Sequence, residues 1–247
     1  MKTYLSVYLG SAILALVITP AVIWGARRIN IVDVPGARSS HSKPVPHVGG
    51  ISLFAAMMCL IVPILILPNV VGDAFRGIMT KVIVLLSAAA FIFVVGLIDD
   101  IKGIRARIKL LAQLAAAIAV CSAGIRIERI VIANWLTLDF GWFAWPLTIV
   151  WIIGITNAVN LCDGLDGLAT GIAGVACGVI AILAISSGQI VMAVLMLAML
   201  GSLTGFLFYN FNPAKIFMGD CGSMFLGFTI AASSVLCATK SSGLVGL

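Results

Sequence analysis

IMTKVIVLLSAAAFIFVVGLI, residues 78–98, decides the fold class: it is an apolar run broken only by Lys81 near its start and followed at once by Asp99 and Asp100. A helix rises 1.5 Å per residue, so about 20 apolar residues cross the roughly 30 Å hydrocarbon layer of a bilayer, where no water is present to satisfy a looser backbone. Runs of the same kind recur at 4–24, 48–68, 110–124, 143–158, 168–186, 189–209 and 223–239, which predicts eight spans. Composition agrees. Of 247 residues, 62% are hydrophobic and 10% charged, and a mean hydropathy of +1.21 excludes a soluble globule, a disordered chain, a collagen and a coiled coil. An outer-membrane barrel would need shorter, alternating segments. The expected fold is an all-α polytopic membrane protein, one transmembrane domain over 1–247 with no soluble domain. Between the fourth and fifth spans, residues 125–141 alternate at Leu136, Leu138 and Phe140, which predicts a small extracytoplasmic hairpin turning near Ala133 and Asn134.

The first run is too long for a secretory leader and is followed by Arg27 and Arg28, so it is expected to stay as an anchor. Eight crossings put the segments 25–47, 99–109, 159–167 and 210–222 on one side. Nine of the fifteen Lys and Arg residues lie there, which makes that side cytoplasmic and places both termini outside. The net charge of +6 is spread through these short connections, so it serves topology and implies a bilayer, not a nucleic acid, as partner. Cys59, Cys121, Cys177 and Cys237 fall within apolar runs, and no zinc-type spacing exists. The acids sort more sharply than the cations. Asp33, Asp99, Asp100, Asp163, Asp166 and Asp220 share the cytoplasmic segments with both histidines, His41 and His47. Acids contribute little to insertion, so their gathering at one water interface marks the place to look for chemistry.

Each polar segment has a structural and a functional reading. DVPGARSSHSKPVPHVGG (33–50) is a Pro- and Gly-broken connector whose Arg38, Lys43 and His47 can also hold an anionic headgroup or phosphate. In GLIDDIKGIRARIKLLAQ (96–113), Asp99 and Asp100 sit where a helix C-terminus disfavours anions, so a cation is expected beside them: Lys102, Arg105, Arg107 or Lys109, or a divalent metal. NAVNLCDGLDGLATG (157–171) supplies Asp163 or Asp166 as a cap for the sixth span, with Gly167, Gly171, Gly174 and Gly178 for close helix packing. The same segment holds two acids and two amides without a Lys or Arg, as a ligand site would. In FNPAKIFMGDCGSMFLGF (211–228), Ser223 or Asp220 is an expected helix cap, and Asp220 between glycines is also a candidate ligand. Together the four segments suit a Mg²⁺-dependent reaction of a phosphate compound at the cytoplasmic membrane surface.

SHSKPVPHVGG (40–50), GLIDDIKGIRARIKLLAQ (96–113), NAVNLCDGLDGLATG (157–171) and FNPAKIFMGDCGS (211–223) resemble, in order, the motifs of the polyprenyl-phosphate N-acetylhexosamine-1-phosphate transferases, the glycosyl transferase family 4 enzymes of the undecaprenyl-phosphate GlcNAc-1-phosphate transferase kind. The resemblance runs from about residue 33 to 240. It implies a multi-pass enzyme of the bacterial cytoplasmic (inner) membrane that transfers a sugar-1-phosphate from a UDP-amino sugar to undecaprenyl phosphate, releases UMP and uses Mg²⁺ or Mn²⁺. It further implies that Asp99 and Asp100 are the catalytic pair and that Asp220 and Asp163 hold the metal. Lys43, His47, Lys109, Asn157, Asn160 and Asp166 are implied to bind substrate.

Members of that family usually continue for two or three more spans and carry a histidine-rich HxHH-like loop. The chain therefore resembles a family core lacking its C-terminal part, and a catalytically incomplete fragment or a split subunit completed by a C-terminal chain is the alternative reading. Packing glycines also permit a homodimer. Two other classes are weighed. A CDP-alcohol phosphotransferase needs an AR and a later Asp pair that DGLDGLATG lacks, and a transporter would place its ionisable groups near mid-span instead of at span ends.

Overall fold

A computed structural model describes residues 2–33, 44–66, 70–133 and 136–241. In chain order the elements are α1 (Lys2–Arg28), β1 (Val32–Asp33), β2 (Val45–Pro46), α2 (Gly50–Ile66), α3 (Val70–Arg76), α4 (Met79–Lys102), α5 (Ala106–Ser122), β3 (Arg129–Ala133), β4 (Leu136–Asp139), a 3-10 turn (Gly141–Phe143), α6 (Ala144–Cys162), α7 (Leu168–Ser186), α8 (Ile190–Asn210) and α9 (Gly219–Ser241). The protein is an all-α polytopic membrane protein. Each of the eight apolar runs forms a helix among the described residues. Six helices, α1, α4, α6 with its leading turn, α7, α8 and α9, are long and apolar enough to cross a membrane, while α2 and α5 have 17 residues each, about 26 Å of helix. The short α3 is an element the sequence does not announce. Its seven residues reach only about 10 Å and add no crossing.

The predicted hairpin is present. β3 and β4 pair antiparallel, with Arg129 opposite Asp139 and a bulge between Val131 and Ala133; Asn134, at the expected turn, lies outside the described residues. Several helices run further than their apolar cores. The sequence places Asp99, Asp100, Asn160 and Lys109 in connections, yet all four are helical, because at a water interface a polar residue can continue a helix while its side chain reaches the aqueous edge. Gly103, at φ +65°, ends α4 by returning its N–H to the Asp99 carbonyl.

Packing is closest where glycine removes a side chain. A Cβ on Gly201 would lie 2.2 Å from the Tyr8 carbonyl oxygen and one on Gly205 2.3 Å from that of Ala12, so GSLTG at 201–205 seats α8 directly on the α1 backbone. The glycines expected to do this on α7 do not. Gly171 faces open space, and Gly174 and Gly178 meet only Leu200 at ordinary van der Waals distance, because α8 presents a leucine to α7 instead of backbone. Pro20, inside α1, lacks the N–H that would bind the Leu16 carbonyl. Tyr209 of α8 donates its hydroxyl to that carbonyl at 3.1 Å.

α9 packs against α2, α4, α6, α7 and α8 and so joins the helices that carry the polar motifs. Its Phe225 meets Phe54 of α2 edge-on at 5.4 Å and Phe93 of α4 at 6.4 Å, and Phe54 stacks on Phe93 at 4.2 Å. These three rings clamp the helices that carry the polar motifs, one to two turns from the motif residues themselves.

Candidate active site

The first and fourth polar segments meet through their backbones. Phe217 N–H donates to the Pro46 carbonyl at 2.8 Å, Gly49 N–H to Phe217 at 2.9 Å and Gly50 N–H to Met218 at 2.8 Å. Gly50 and Gly222 touch so closely that a Cβ on Gly50 would stand 2.2 Å from the Gly222 nitrogen, and a Cβ on Gly96 of α4 would stand 2.6 Å from the Asp220 carbonyl oxygen. Gly50, Gly96 and Gly222 thus bring the starts of α2 and α9 and the end of α4 into backbone contact.

Into this junction the helices project one polar network. Asp99 accepts the Ile104 N–H on Oδ1 and the Lys109 ammonium on Oδ2, both at 2.6 Å. Lys109, one turn into α5, also donates to Asp220 Oδ2 at 2.8 Å. Asn160, on the last turn of α6, donates to Asp220 Oδ1 at 2.7 Å and to Ser223 Oγ at 2.8 Å. The cation expected beside the paired aspartates is therefore Lys109, which bridges two carboxylates from different helices. Asp100 points elsewhere: its Oδ1 accepts the Asp220 N–H at 2.8 Å and its Oδ2 the Cys221 N–H at 3.0 Å. The N-terminus of α9 is capped by Asp100 of α4 and not, as expected, by Ser223 or Asp220. His47 Nε2 lies 2.9 Å from the Asp100 carbonyl oxygen, and its Nδ1 is buried without a partner among the described residues.

Asp163 follows α6 as its C-cap. Burial, then the Asp220 and Asp100 carboxylates, push its pKa up to about 8, partly offset by the Gly219 N–H. Neither Asp163 nor Asp166 caps α7 as expected; Gly167, at φ +71°, takes that position with no side-chain cap. Asp166 instead accepts the Asn212 amide and the Ala214 N–H, each at 3.0 Å, and so ties the α6–α7 connection to the α8–α9 connection. Asn157 lies one turn below Asn160 and donates to Gln113 Oε1 at 2.7 Å and to the Ile153 carbonyl at 2.8 Å. Gln113 is buried and is a site residue that sequence reasoning misses; its spacing of four from Lys109, on the same face of α5, is the sequence signal that finds it. Lys43 lies outside the described residues.

The four carboxylates Asp99, Asp100, Asp163 and Asp220 converge, and among the described residues Lys109 is the one ammonium bonded to them. Among the described residues no group of three or more His, Cys, Asp or Glu side chains forms a ready-made metal cage. The donor set is hard oxygen, carboxylates and an amide, which fits an ion that takes one or two carboxylates and completes its shell with water and phosphate oxygens, and does not fit a closed zinc-type site.

The profile of glycosyl transferase family 4 matches residues 82–238, which span α4 through α9 and contain every network residue named above except His47. The chain belongs to glycosyl transferase family 4. Among its family 4 relatives, a protein of Bacillus subtilis (strain 168) named probable undecaprenyl-phosphate N-acetylglucosaminyl 1-phosphate transferase is 40% identical over 238 residues, 95% of this chain and 63% of the relative. Phospho-N-acetylmuramoyl-pentapeptide-transferases of Halalkalibacterium halodurans and Geobacillus kaustophilus are 34% and 35% identical over 242 and 244 residues, in each case 92% of this chain and 72% of the relative. The chain thus spans about two thirds of the length of these proteins.

Proposed function

We propose that this family 4 chain transfers an N-acetylhexosamine-1-phosphate, N-acetylglucosamine-1-phosphate in the first instance, from a UDP-sugar to undecaprenyl phosphate. The observation that carries the reading is the convergence of Asp99, Lys109, Asn160, Asp163 and Asp220 at the polar ends of α4, α5, α6 and α9, where a charged diphosphate and a membrane-held phosphate can meet. The 40% identity to the Bacillus subtilis protein favours N-acetylglucosamine over the muramoyl-pentapeptide sugar. The site sits on the side bearing most of the Lys and Arg residues, which agrees with a cytoplasmic face of the bacterial inner membrane supplied with soluble UDP-sugar.

In this reading an oxygen of the lipid phosphate attacks the sugar-bearing β-phosphorus in line. The bond from that phosphorus to the bridging oxygen breaks, and UMP leaves with the bridging oxygen. Phosphoryl transfer needs mostly positioning and charge stabilisation. Asp99 orients the lipid phosphate and takes its proton when it carries one. Lys109 holds Asp99 and Asp220 in register and turns its positive charge toward the phosphates. Asp220 and Asp163 would hold Mg²⁺, or Mn²⁺ in its place, which when bound neutralises the diphosphate and assists departure of UMP.

The test is purified chain with undecaprenyl phosphate, Mg²⁺ and either radiolabelled UDP-N-acetylglucosamine or its muramoyl-pentapeptide counterpart. Labelled lipid and UMP from the first substrate support the reading; labelled lipid from the second alone corrects the sugar. No labelled lipid from either substrate overturns the reading.

A further inference from the structure

We propose that Asp100 is a positioning residue that sets the Asp220 carboxylate by capping α9, so that the two adjacent aspartates of α4 have separate tasks. The inference rests on the transferase reading for its kinetic consequence but not for its geometry. An aspartate pair at a helix C-terminus is doubly unfavourable, since each carboxylate meets the negative end of the helix dipole and the other carboxylate. The structure resolves the two charges differently. Asp99 is compensated by the Lys109 ammonium at 2.6 Å and the Ile104 N–H. Asp100 is compensated by the N-terminus of another helix: its two oxygens take the first two amides of α9 that follow Gly219, at 2.8 and 3.0 Å.

The cap is held from every side. His47 Nε2 fastens the Asp100 carbonyl at 2.9 Å. Gly219 has φ +75°, and a Cβ there would lie 2.0 Å from the His47 carbonyl oxygen and 2.8 Å from Asp100 Oδ2, so only glycine lets the α9 start approach. Gly96, one turn back on α4, lies against the backbone of Asp220 and Cys221. With both oxygens engaged by backbone amides, Asp100 faces the main chain of Asp220, whereas Asp99 and Lys109 face its side chain. The Asp220 main chain is thereby pinned to α4, with its carboxylate directed at Lys109 and Asn160.

Two measurements on the full chain in detergent test this. The first is amide hydrogen exchange in peptides covering 217–224, for wild type, Asp100→Ala, Asp100→Asn and Asp99→Asn. Asp100→Ala should speed exchange at the Asp220 and Cys221 amides by about 10- to 100-fold, the weight of a charge-assisted hydrogen bond, and Asp99→Asn should leave them protected. The second is UMP release against pH and Mg²⁺. Asp100→Asn, which keeps one acceptor oxygen, should retain turnover lowered by about 10- to 100-fold, with an unshifted pH profile and a raised Mg²⁺ requirement, while Asp99→Asn falls to background. Unchanged exchange in Asp100→Ala overturns the cap. Background turnover in Asp100→Asn with wild-type protection overturns the positioning role, because the carboxylate would then be acting on substrate. If Asp100→Ala does not fold, Asp100→Asn carries both measurements. Should wild type itself release no UMP, the transferase reading fails while the exchange experiment still decides the cap.

Discussion

Asp163 lies between α6 and α7 with burial and two neighbouring carboxylates holding its pKa near 8, against about 3.9 in an unfolded chain. Below about pH 4 both states are protonated and the residue costs nothing. As pH rises toward 8 the unfolded chain ionises while the folded one resists, so stability is lost across that window. Metal-free protein is expected to melt at lower temperature at pH 8 than at pH 5. Asp163→Asn should flatten the dependence and add at least about 1 kcal/mol at pH 8, roughly 2–4 °C in Tm; a slope that survives the substitution places its source elsewhere. The glycines separate just as cleanly. Gly50→Ala and Gly96→Ala push a Cβ into backbone at 2.2 and 2.6 Å and should each cost about 1–3 kcal/mol or more. Gly171→Ala, in open space within α7, should stabilise by up to about 1 kcal/mol. Thermal scanning of the three variants side by side checks the contrast. For His47, Asn157 and Asp166 the motif positions alone imply substrate binding. The structure joins them to the Asp100 carbonyl, to Gln113 and to the α8–α9 connection respectively, partners far apart in sequence and so invisible to spacing.

Helices α1 and α8 form a pair whose logic is local and complementary. Pro20 leaves the Leu16 carbonyl without its helical donor, and in a bilayer an unsatisfied carbonyl has no water to turn to. Tyr209 fills the gap from α8, one turn from where Gly205 seats that helix on α1. Tyr209→Phe is expected to cost about 1–3 kcal/mol. The decisive comparison is with Pro20→Ala, which restores the backbone donor: in that background Tyr209→Phe should cost little, and an equal loss in both backgrounds would remove this explanation. At the same scale, element type was readable and element ends were not. A long apolar run in a chain this hydrophobic has one stable form, the helix. Where the run stops at Ile98 or Ala158, nothing local says whether Asp99 or Asn160 leaves the helix or continues it, because that depends on whether another helix supplies a partner, as α5 and α9 do.

The whole molecule puts its chemistry at one end of the helical array and a hairpin at the other. The α4–α5 turn precedes α5 and the β3–β4 hairpin follows it, so a crossing by α5, as the sequence predicts, places the two on opposite faces. Under the proposed orientation, with single cysteines in a cysteine-free background, a membrane-impermeant thiol reagent should reach position 105 only after the membrane is opened, and position 139 in intact cells. Labelling of both from outside would overturn the assigned orientation.

Membrane class, the helical form of the apolar runs and the grouping of acids at one interface follow from composition and run length, since transfer into hydrocarbon acts on each segment separately and needs no knowledge of neighbours. The packing of α9 against five other helices, the Lys109 bridge, the Asp100 cap and the glycine contacts came only from the tertiary structure. The membrane-length helices are apolar on nearly every side through their middle turns, so hydropathy cannot tell a buried face from a lipid-facing one. Helix order and contact in lipid are set instead by close packing and by which polar groups find partners, and those are properties of pairs of segments that no single segment carries.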